Sequence, residues 1–163
     1  MDVTFGNLNI DASSGNEAAV SVTGSGDTNI ELDGDNELKS GRNRAGLEHN
    51  QTVDSEGNVT SGKLTIQDDN DKAGSLDATG GLYGAGIGGG YYGDGRVTIT
   101  GDAIIEEAQG GIQSAGIGGG QGADGVVEIS GNARIDKVIG GDYAAGIGLS
   151  LIHISEPTRR RGI

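Results

Sequence analysis

Short runs of alternating apolar and polar residues recur along this chain, and each run leads into a glycine-rich stretch. The clearest runs are residues 97–100 (Val-Thr-Ile-Thr) and 127–130 (Val-Glu-Ile-Ser). A period of two is the pattern of a β-strand with one buried face. Turn-forming pairs follow directly, Gly-Asp at 101–102 and Gly-Asn at 131–132. The sequence therefore predicts an all-β protein built from short strands.

The glycine-rich stretches repeat at a fixed spacing. Ala-Gly-Ile-Gly-Gly-Gly occurs at residues 85–90 and 115–120, and a third copy breaks off after 145–148, which is 30 residues further each time. A fixed period of that size is typical of stacked-repeat proteins. Three less regular units precede the two clearest ones, so we expect about five units in total.

Aligning the units places aliphatic residues in columns, that is, at one position in successive units. Three inward-facing columns are predicted: Phe5, Leu32, Ile66, Ile99 and Ile129; Val20, Leu47, Ile87, Ile117 and Ile147; and Ala78, Ala108 and Val138. Such columns favour coils paired about 4.8 Å apart, and parallel crossovers are nearly always right-handed. We therefore predict a right-handed parallel β-helix of about five coils. An antiparallel sandwich also uses many short strands, but it does not require the 30-residue period.

Composition and charge narrow the class of protein. The chain has 34 Gly among 163 residues and only four Tyr and one Phe, which suits a thin core of small and β-branched residues. Its formal net charge of −13 disfavours a nucleic-acid partner. No apolar run approaches the roughly 20 residues of a membrane-spanning helix, so no membrane insertion is expected. The absence of Cys excludes a disulfide scaffold.

The end of the chain departs from the repeat. Residues 149–159 read Leu-Ser-Leu-Ile-His-Ile-Ser-Glu-Pro-Thr-Arg, which resembles the translation of a transposase-end adapter used in DNA sequencing. We expect a β-helix repeat domain at 1–148 and a non-native tail at 149–163; the alternative is a natural basic tail. Without the tail, 8 basic and 23 acidic residues remain, a net charge of −15.

On this interpretation the repeat domain is a fragment whose last coil has no cap. Solenoids normally end in a capping unit, and an open β edge invites pairing with another chain. We therefore predict self-association at the open C-terminal edge, with the tail loose or draped over it.

The repeat also carries a resemblance. The heptapeptide Gly-Ala-Gly-Ile-Gly-Gly-Gly at 84–90, the following Gly/Asp linker, Val-Thr-Ile-Thr-Gly-Asp at 97–102 and the Gly-Gly pair at 110–111 resemble glycine-rich repeats of large bacterial surface and secreted proteins. Those proteins are described as adhesin-like or carbohydrate-binding β-helix proteins. The resemblance covers about residues 3–148. It implies an extracellular or cell-surface, structural or adhesive role, and it supplies no binding residues.

The aromatic residues concentrate in the glycine-flanked turns. Tyr83 and Tyr143 share one repeat position with Gln113, and Gln121 is the next-unit equivalent of Tyr91. A Tyr side chain presents a flat apolar face and a hydroxyl at low entropy cost. We predict a surface that binds a polysaccharide or a cell-surface glycan; the alternative is that these side chains only cover glycine backbone. The candidate residues are Tyr83, Tyr91, Tyr92, Gln113, Gln121 and Tyr143.

No cofactor is required by this prediction, but acidic turns could hold Ca²⁺, which prefers oxygen ligands. Residues 119–127 fit the nonapeptide G-G-x-G-x-D-x-U-x of calcium-binding β-rolls, which act in tandem. The counterpart one unit earlier departs from it at Tyr92 and Arg96, so an ordinary glycine turn is the alternative. The candidate ligands are Asp33, Asp35, Asp94 and Asp124.

The alternative function is that of a fragment of a polysaccharide lyase-like β-helix enzyme. Such an enzyme needs carboxylates that hold calcium beside a basic residue that takes a proton. The residue types are present at 33–37 and 68–71, with Lys39, Arg42 and Arg44 close in sequence. Because His49 is the one histidine before the tail and Cys is absent, triads and thiol nucleophiles have little support. We predict a structural or merely exposed His49 and no enzymatic activity.

Overall fold

The computed structural model describes residues 1–148. The predicted tail lies outside the described residues, and so do the predictions that it is loose or draped and that the last coil has no cap. Within residues 1–148 there are strands and no helix, as predicted. The strands are β1 Asp2–Gly6, β2 Asn9–Asp11, β3 Val20–Ser21, β4 Thr28–Lys39, β5 Leu47–Glu48, β6 Leu64–Asp68, β7 Gly74–Thr79, β8 Ile87–Gly88, β9 Gly95–Gly101, β10 Ile104–Gln109, β11 Ile117–Gly118, β12 Gly125–Ile129, β13 Arg134–Ile135, β14 Val138–Ile139 and β15 Ile147–Gly148.

Each coil contributes a strand to three faces of the solenoid. The first face pairs β1, β4, β6, β9 and β12; the second pairs β2, β4, β7, β10, β13 and β14; the third pairs β3, β5, β8, β11 and β15. All these pairings are parallel. Strand β4 runs through the corner between the first two faces, where Gly34 has φ 67°. The prediction of a parallel β-solenoid of about five coils is confirmed, and its hand stays a prediction.

Two of the three predicted core columns are confirmed. On the third face Val20, Leu47, Ile87, Ile117 and Ile147 pair in register. On the second face Ala78 and Ala108 pair with Val138, and the column extends to Leu38 and Ile10 in the earlier coils. These aliphatic side chains meet in one continuous core cluster, except Ile147, which is 44 % exposed.

The remaining predicted column is wrong in its first two members. Ile66 pairs with Ile30, which pairs with Val3, whereas Leu32 pairs with Phe5 one pleat further along. Leu32 and Phe5 are still buried. Alternation alone cannot separate these registers, because a slip of two residues keeps every side chain on the same face.

An irregular excursion interrupts the second coil and has no counterpart in the predicted repeat. Residues 51–62 leave the coil as a short hairpin, in which Val53 and Val59 form an isolated antiparallel bridge. The Asp54 side chain closes its turn by accepting hydrogen bonds from the backbone nitrogens of Glu56 and Asn58, both at 2.9 Å. This hairpin explains why the second coil is longer than the 30-residue repeat.

Candidate functional site

The predicted column of turn residues exists. Tyr83, Gln113 and Tyr143 each lie four residues before an isoleucine of the third-face column, and those isoleucines pair in register. The three side chains therefore project from equivalent turns of three successive coils. Tyr143 is 74 % exposed.

Three tyrosines of the third coil form one aromatic surface, which we name the tyrosine cluster. The Tyr83 and Tyr91 ring centroids lie 5.3 Å apart, and those of Tyr91 and Tyr92 lie 4.2 Å apart. Both pairs are tilted, by 37° and 38°. A hydrogen bond with the Tyr92 hydroxyl raises the pKa of the Tyr91 hydroxyl. Tyr91 is 42 % and Tyr92 66 % exposed, so their faces are available to a ligand.

The fourth coil replaces this cluster with amides. The Gln121 side chain donates a hydrogen bond to the Gln113 side chain, at the positions that Tyr91 and Tyr83 hold one coil earlier. Backbone contacts join the two coils, because the Gln121 nitrogen donates to the Tyr83 carbonyl at 3.1 Å and the Tyr92 nitrogen donates to the Gln121 carbonyl at 3.0 Å. The predicted aromatic and amide residues thus form one continuous strip along the solenoid.

Backbone strain marks the same strip. Tyr92, Gln113 and Tyr143 have φ values of 56°, 55° and 63°, in the left-handed region that bulky residues rarely occupy. The turn that holds Tyr92 in the third coil holds Gly122 in the fourth, at φ 75°. Strain of this kind costs on the order of 1–3 kcal/mol and clusters at functional sites. A tyrosine in a turn suited to glycine indicates a role for its side chain.

A groove of about 330 Å³, which we name the amide groove, opens beside the tyrosine cluster. Asn16 and Asn43 lie four residues before Val20 and Leu47, so they begin the column that continues with Tyr83. Sequence reasoning missed both residues, although aligning the two degenerate units on these aliphatic positions would have found them. The lining residues are Asn16, Asn43, Arg44, Glu48, Asn50, Gly90 and Tyr91.

An ion pair fixes one wall of the amide groove. The Glu48 carboxylate is buried and accepts hydrogen bonds from Arg44 Nη1 at 2.9 Å and from the Ala45 backbone nitrogen at 3.2 Å. Arg44 Nε also donates to the Asn16 carbonyl at 3.3 Å. Asn50 Oδ1 accepts from the Gly90 nitrogen at 2.9 Å. The groove therefore presents fixed polar groups next to an aromatic face.

The four candidate calcium ligands do not converge. Asp33 accepts a hydrogen bond from Asn70 at 2.7 Å and pairs with Lys72 at 3.4 Å, in the corner between the first and second faces, where Asp35 also lies. In the turn before the first face, Asp94 Oδ1 accepts from the Asp124 nitrogen at 2.8 Å. Among residues 1–148 no group of three or more acidic or histidine side chains is arranged to hold a metal. Calcium binding stays a prediction.

Several of the residues considered for a lyase are engaged in ion pairs, among them Asp33, Lys39 and Arg44. Lys39 pairs with Glu37 at 2.5 Å, and Glu37 stacks on Asp77, which stacks on Glu107. Partial burial, and then the neighbouring carboxylates, raise the pKa of Asp77. Burial also raises the pKa of Asp68, whose Oδ2 accepts from the Gly74 nitrogen at 2.8 Å. A ladder of carboxylates thus runs along the outer surface of the solenoid through Glu37, Asp77 and Glu107, whereas Asp68 is buried.

Comparisons with known proteins find no match. No protein-family model matches the chain, and neither a curated protein nor a solved structure matches it significantly. The part of the chain described by the structure contains no helix able to cross a membrane. Function must therefore be argued from geometry and residue chemistry.

Proposed function

We propose that this chain is a non-enzymatic β-helix segment of an extracellular or cell-surface protein, with a structural or adhesive role and a carbohydrate-binding surface. The observation that carries the binding proposal is the exposed tyrosine cluster beside the amide groove. The resemblance to bacterial surface repeats supports the location and the adhesive role. The ligand class is a polysaccharide or a cell-surface glycan.

The chemistry of the surface matches that of a sugar. A pyranose ring offers an apolar face of C–H groups and a rim of hydroxyls, so it stacks on an aromatic ring and exchanges hydrogen bonds with planar polar groups. Tyr91 supplies the aromatic face, and Asn43 and Arg44 supply planar donors within one groove. Because the ion pair with Glu48 holds Arg44 in place, little side-chain entropy is lost on binding.

A triple variant, Tyr83→Gln, Tyr91→Gln and Tyr92→Gly, should lose glycan binding and stay folded. These substitutions copy the fourth coil, which has Gln113, Gln121 and Gly122 at the same positions. Affinity should fall by about tenfold or more, as for the loss of central aromatic contacts. The melting temperature should stay level or rise, because glycine relieves the strain at position 92. Glycan-array screening followed by affinity electrophoresis measures both variant and parent.

The matched control is Val59→Ser, which removes an exposed apolar side chain from the hairpin and should leave binding unchanged. Equal binding by the triple variant and its parent would overturn the assignment of this surface, as would a parent that binds no glycan on the array. Release of unsaturated sugar products during the assay would instead support the lyase alternative.

We also propose that the protein self-associates through the last coil. Ile129 and Ile147 are 43 % and 44 % exposed, although their column partners Ile99 and Ile117 are fully buried. Exposed apolar rows on a β edge favour pairing with another chain, and lysine on an edge opposes it. Sedimentation velocity should show concentration-dependent association that Ile129→Lys with Ile147→Lys suppresses. A parent that stays monomeric at high concentration, or equal suppression by Val53→Lys on the hairpin, would contradict this proposal.

A further inference from the structure

A second groove, which we name the axial groove, runs across the coils on the other side of the ridge that carries Tyr83. Its volume is about 680 Å³, and residues of all five coils line it. One wall is the column Lys39, Thr79 and Gln109, whose members pair in register on the second face. The other wall is formed three residues later in each coil, by Arg42, Leu82, Ile112 and Asp142. Glycine pairs form the floor between the walls.

The character of the axial groove changes along its length. In the second coil Lys39 lies opposite Arg42, and Arg42 supplies the positive charge that is available to a ligand. Lys39 is paired with Glu37, whereas the Arg42 side chain is exposed and makes no ion pair or hydrogen bond with another residue of the described chain. In the next two coils a polar wall faces an apolar one, since Leu82 is 36 % and Ile112 43 % exposed. A ligand would thus meet positive charge first and amphipathic walls afterwards.

The floor of the axial groove offers no backbone edge to a peptide. The Gly80 nitrogen donates to the Gln109 carbonyl at 2.8 Å, and the Gly110 nitrogen donates to the Ile139 carbonyl at 2.9 Å. The nitrogens of Gly81 and Gly111 are likewise bonded to neighbouring coils, both at 2.9 Å. Peptides that add to a sheet derive affinity from unpaired backbone groups. Recognition here must come from side chains, which suits a hydroxyl-rich oligosaccharide.

We propose that the axial groove binds an oligosaccharide that carries a carboxylate on one terminal sugar. Arg42 takes the carboxylate, and the two sugars that follow place their C–H groups against Leu82 and Ile112 and their hydroxyls towards Thr79 and Gln109. A uniformly acidic polymer fits less well, because Asp142 lies at the far end of the groove and the chain carries a net charge of −13. The choice of a carbohydrate as the ligand rests on the proposed function, whereas the choice of the residues that bind it does not.

The test compares two matched probes, xylotriose and xylobiose carrying one glucuronate, by isothermal titration and by salt dependence. We expect the acidic probe to bind more tightly and the difference to shrink at high salt. Arg42→Leu copies the residue of the next coil and should weaken the acidic probe by about tenfold, the loss expected for a charge-assisted hydrogen bond. Arg96→Val removes another cation, copies Val126 of the next coil and should change nothing.

The outcomes separate this inference from the proposed function. Equal affinity of the two probes, or no effect of Arg42→Leu, would overturn the axial groove as an acid-selective site, even if the tyrosine variants lose glycan binding. An equal loss with Arg96→Val would also overturn it, by showing general charge attraction. Retention of acidic-probe binding in the tyrosine triple variant would support two separate sites.

Discussion

Replacing Gly111 by alanine should destabilise the solenoid by about 3 kcal/mol, although only one methyl group is added. An alanine Cβ at this position would lie 2.0 Å from the Gly81 carbonyl oxygen of the previous coil and 2.4 Å from that of Leu82. Both obstacles are backbone atoms, so no side-chain rotation relieves the overlap. The two coils would have to separate, which lengthens the hydrogen bonds between them. Thermal or chemical unfolding measures the change.

The same close approach recurs along the solenoid and explains why glycine is required there. A Cβ on Gly41 would lie 2.3 Å from the Gly15 oxygen, one on Gly81 would lie 1.8 Å from the Gly41 oxygen, and one on Gly141 would lie 1.8 Å from the Gly111 oxygen. This glycine column sets how closely successive coils stack. It also forms the floor of the axial groove, so it links stability to the shape of a proposed binding site.

The matched control for Gly111→Ala is Gly6→Ala. A methyl group added at Gly6 would meet no atom within 4 Å apart from its own chain neighbours, and Gly6 does not adopt a positive φ. Alanine there should be neutral or stabilise by about 0.4–1 kcal/mol, because it restricts the unfolded chain. Equal free energies of unfolding for the two variants would show that the coil spacing does not depend on the glycine column.

The sequence predicted the third face best because two features, a recurring segment and a fixed period, together define its alignment. Ile87, Ile117 and Ile147 each sit inside an Ala-Gly-Ile-Gly segment, and the fixed period leaves one alignment. The first face has no such recurring segment in the early coils. Alternation alone therefore assigned Leu32 as the partner of Ile66, whereas the partner in the structure is Ile30. Two inward residues on one uninterrupted strand satisfy the same alternation. Register was therefore predictable only where a period constrained it.

The candidate site was predicted in part for the same reason. The period placed Tyr83, Gln113 and Tyr143 in one column, but no pattern indicated that Tyr91 would pack between Tyr83 and Tyr92. Asn16 and Asn43 were missed because their units lack the glycine signature. The pairing of Arg44 with the buried Glu48 was also missed, since Glu48 lies at a position where later coils have Gly88 and Gly118. Contacts made by residues outside the regular repeat could be identified only from the three-dimensional structure.

Replacing His49 by leucine should also destabilise the protein strongly, by about 2–4 kcal/mol. The His49 ring is 1 % exposed, with Nδ1 3.1 Å from the Val22 carbonyl oxygen and Nε2 2.9 Å from the Gly62 carbonyl oxygen. It thereby joins the first coil to the end of the hairpin 51–62. The tautomer decides which of the two carbonyls accepts the imidazole N–H. Leucine fills a similar volume but removes that donor, and a buried acceptor without a donor is costly.

The loss should be greatest in the hairpin, because its return to the coil depends on the Gly62 contact. Hydrogen exchange should speed up across residues 51–62, and limited proteolysis should cleave there first. His49→Gln keeps an amide donor and should retain part of the stability, so the order of unfolding free energies is parent, glutamine, leucine. An unchanged hairpin in His49→Leu would mean that the antiparallel bridge between Val53 and Val59 and the Asp54 turn hold the excursion on their own. In that case the imidazole serves only to fill space in the second coil, at a position that aligns with Gly89 and Gly119.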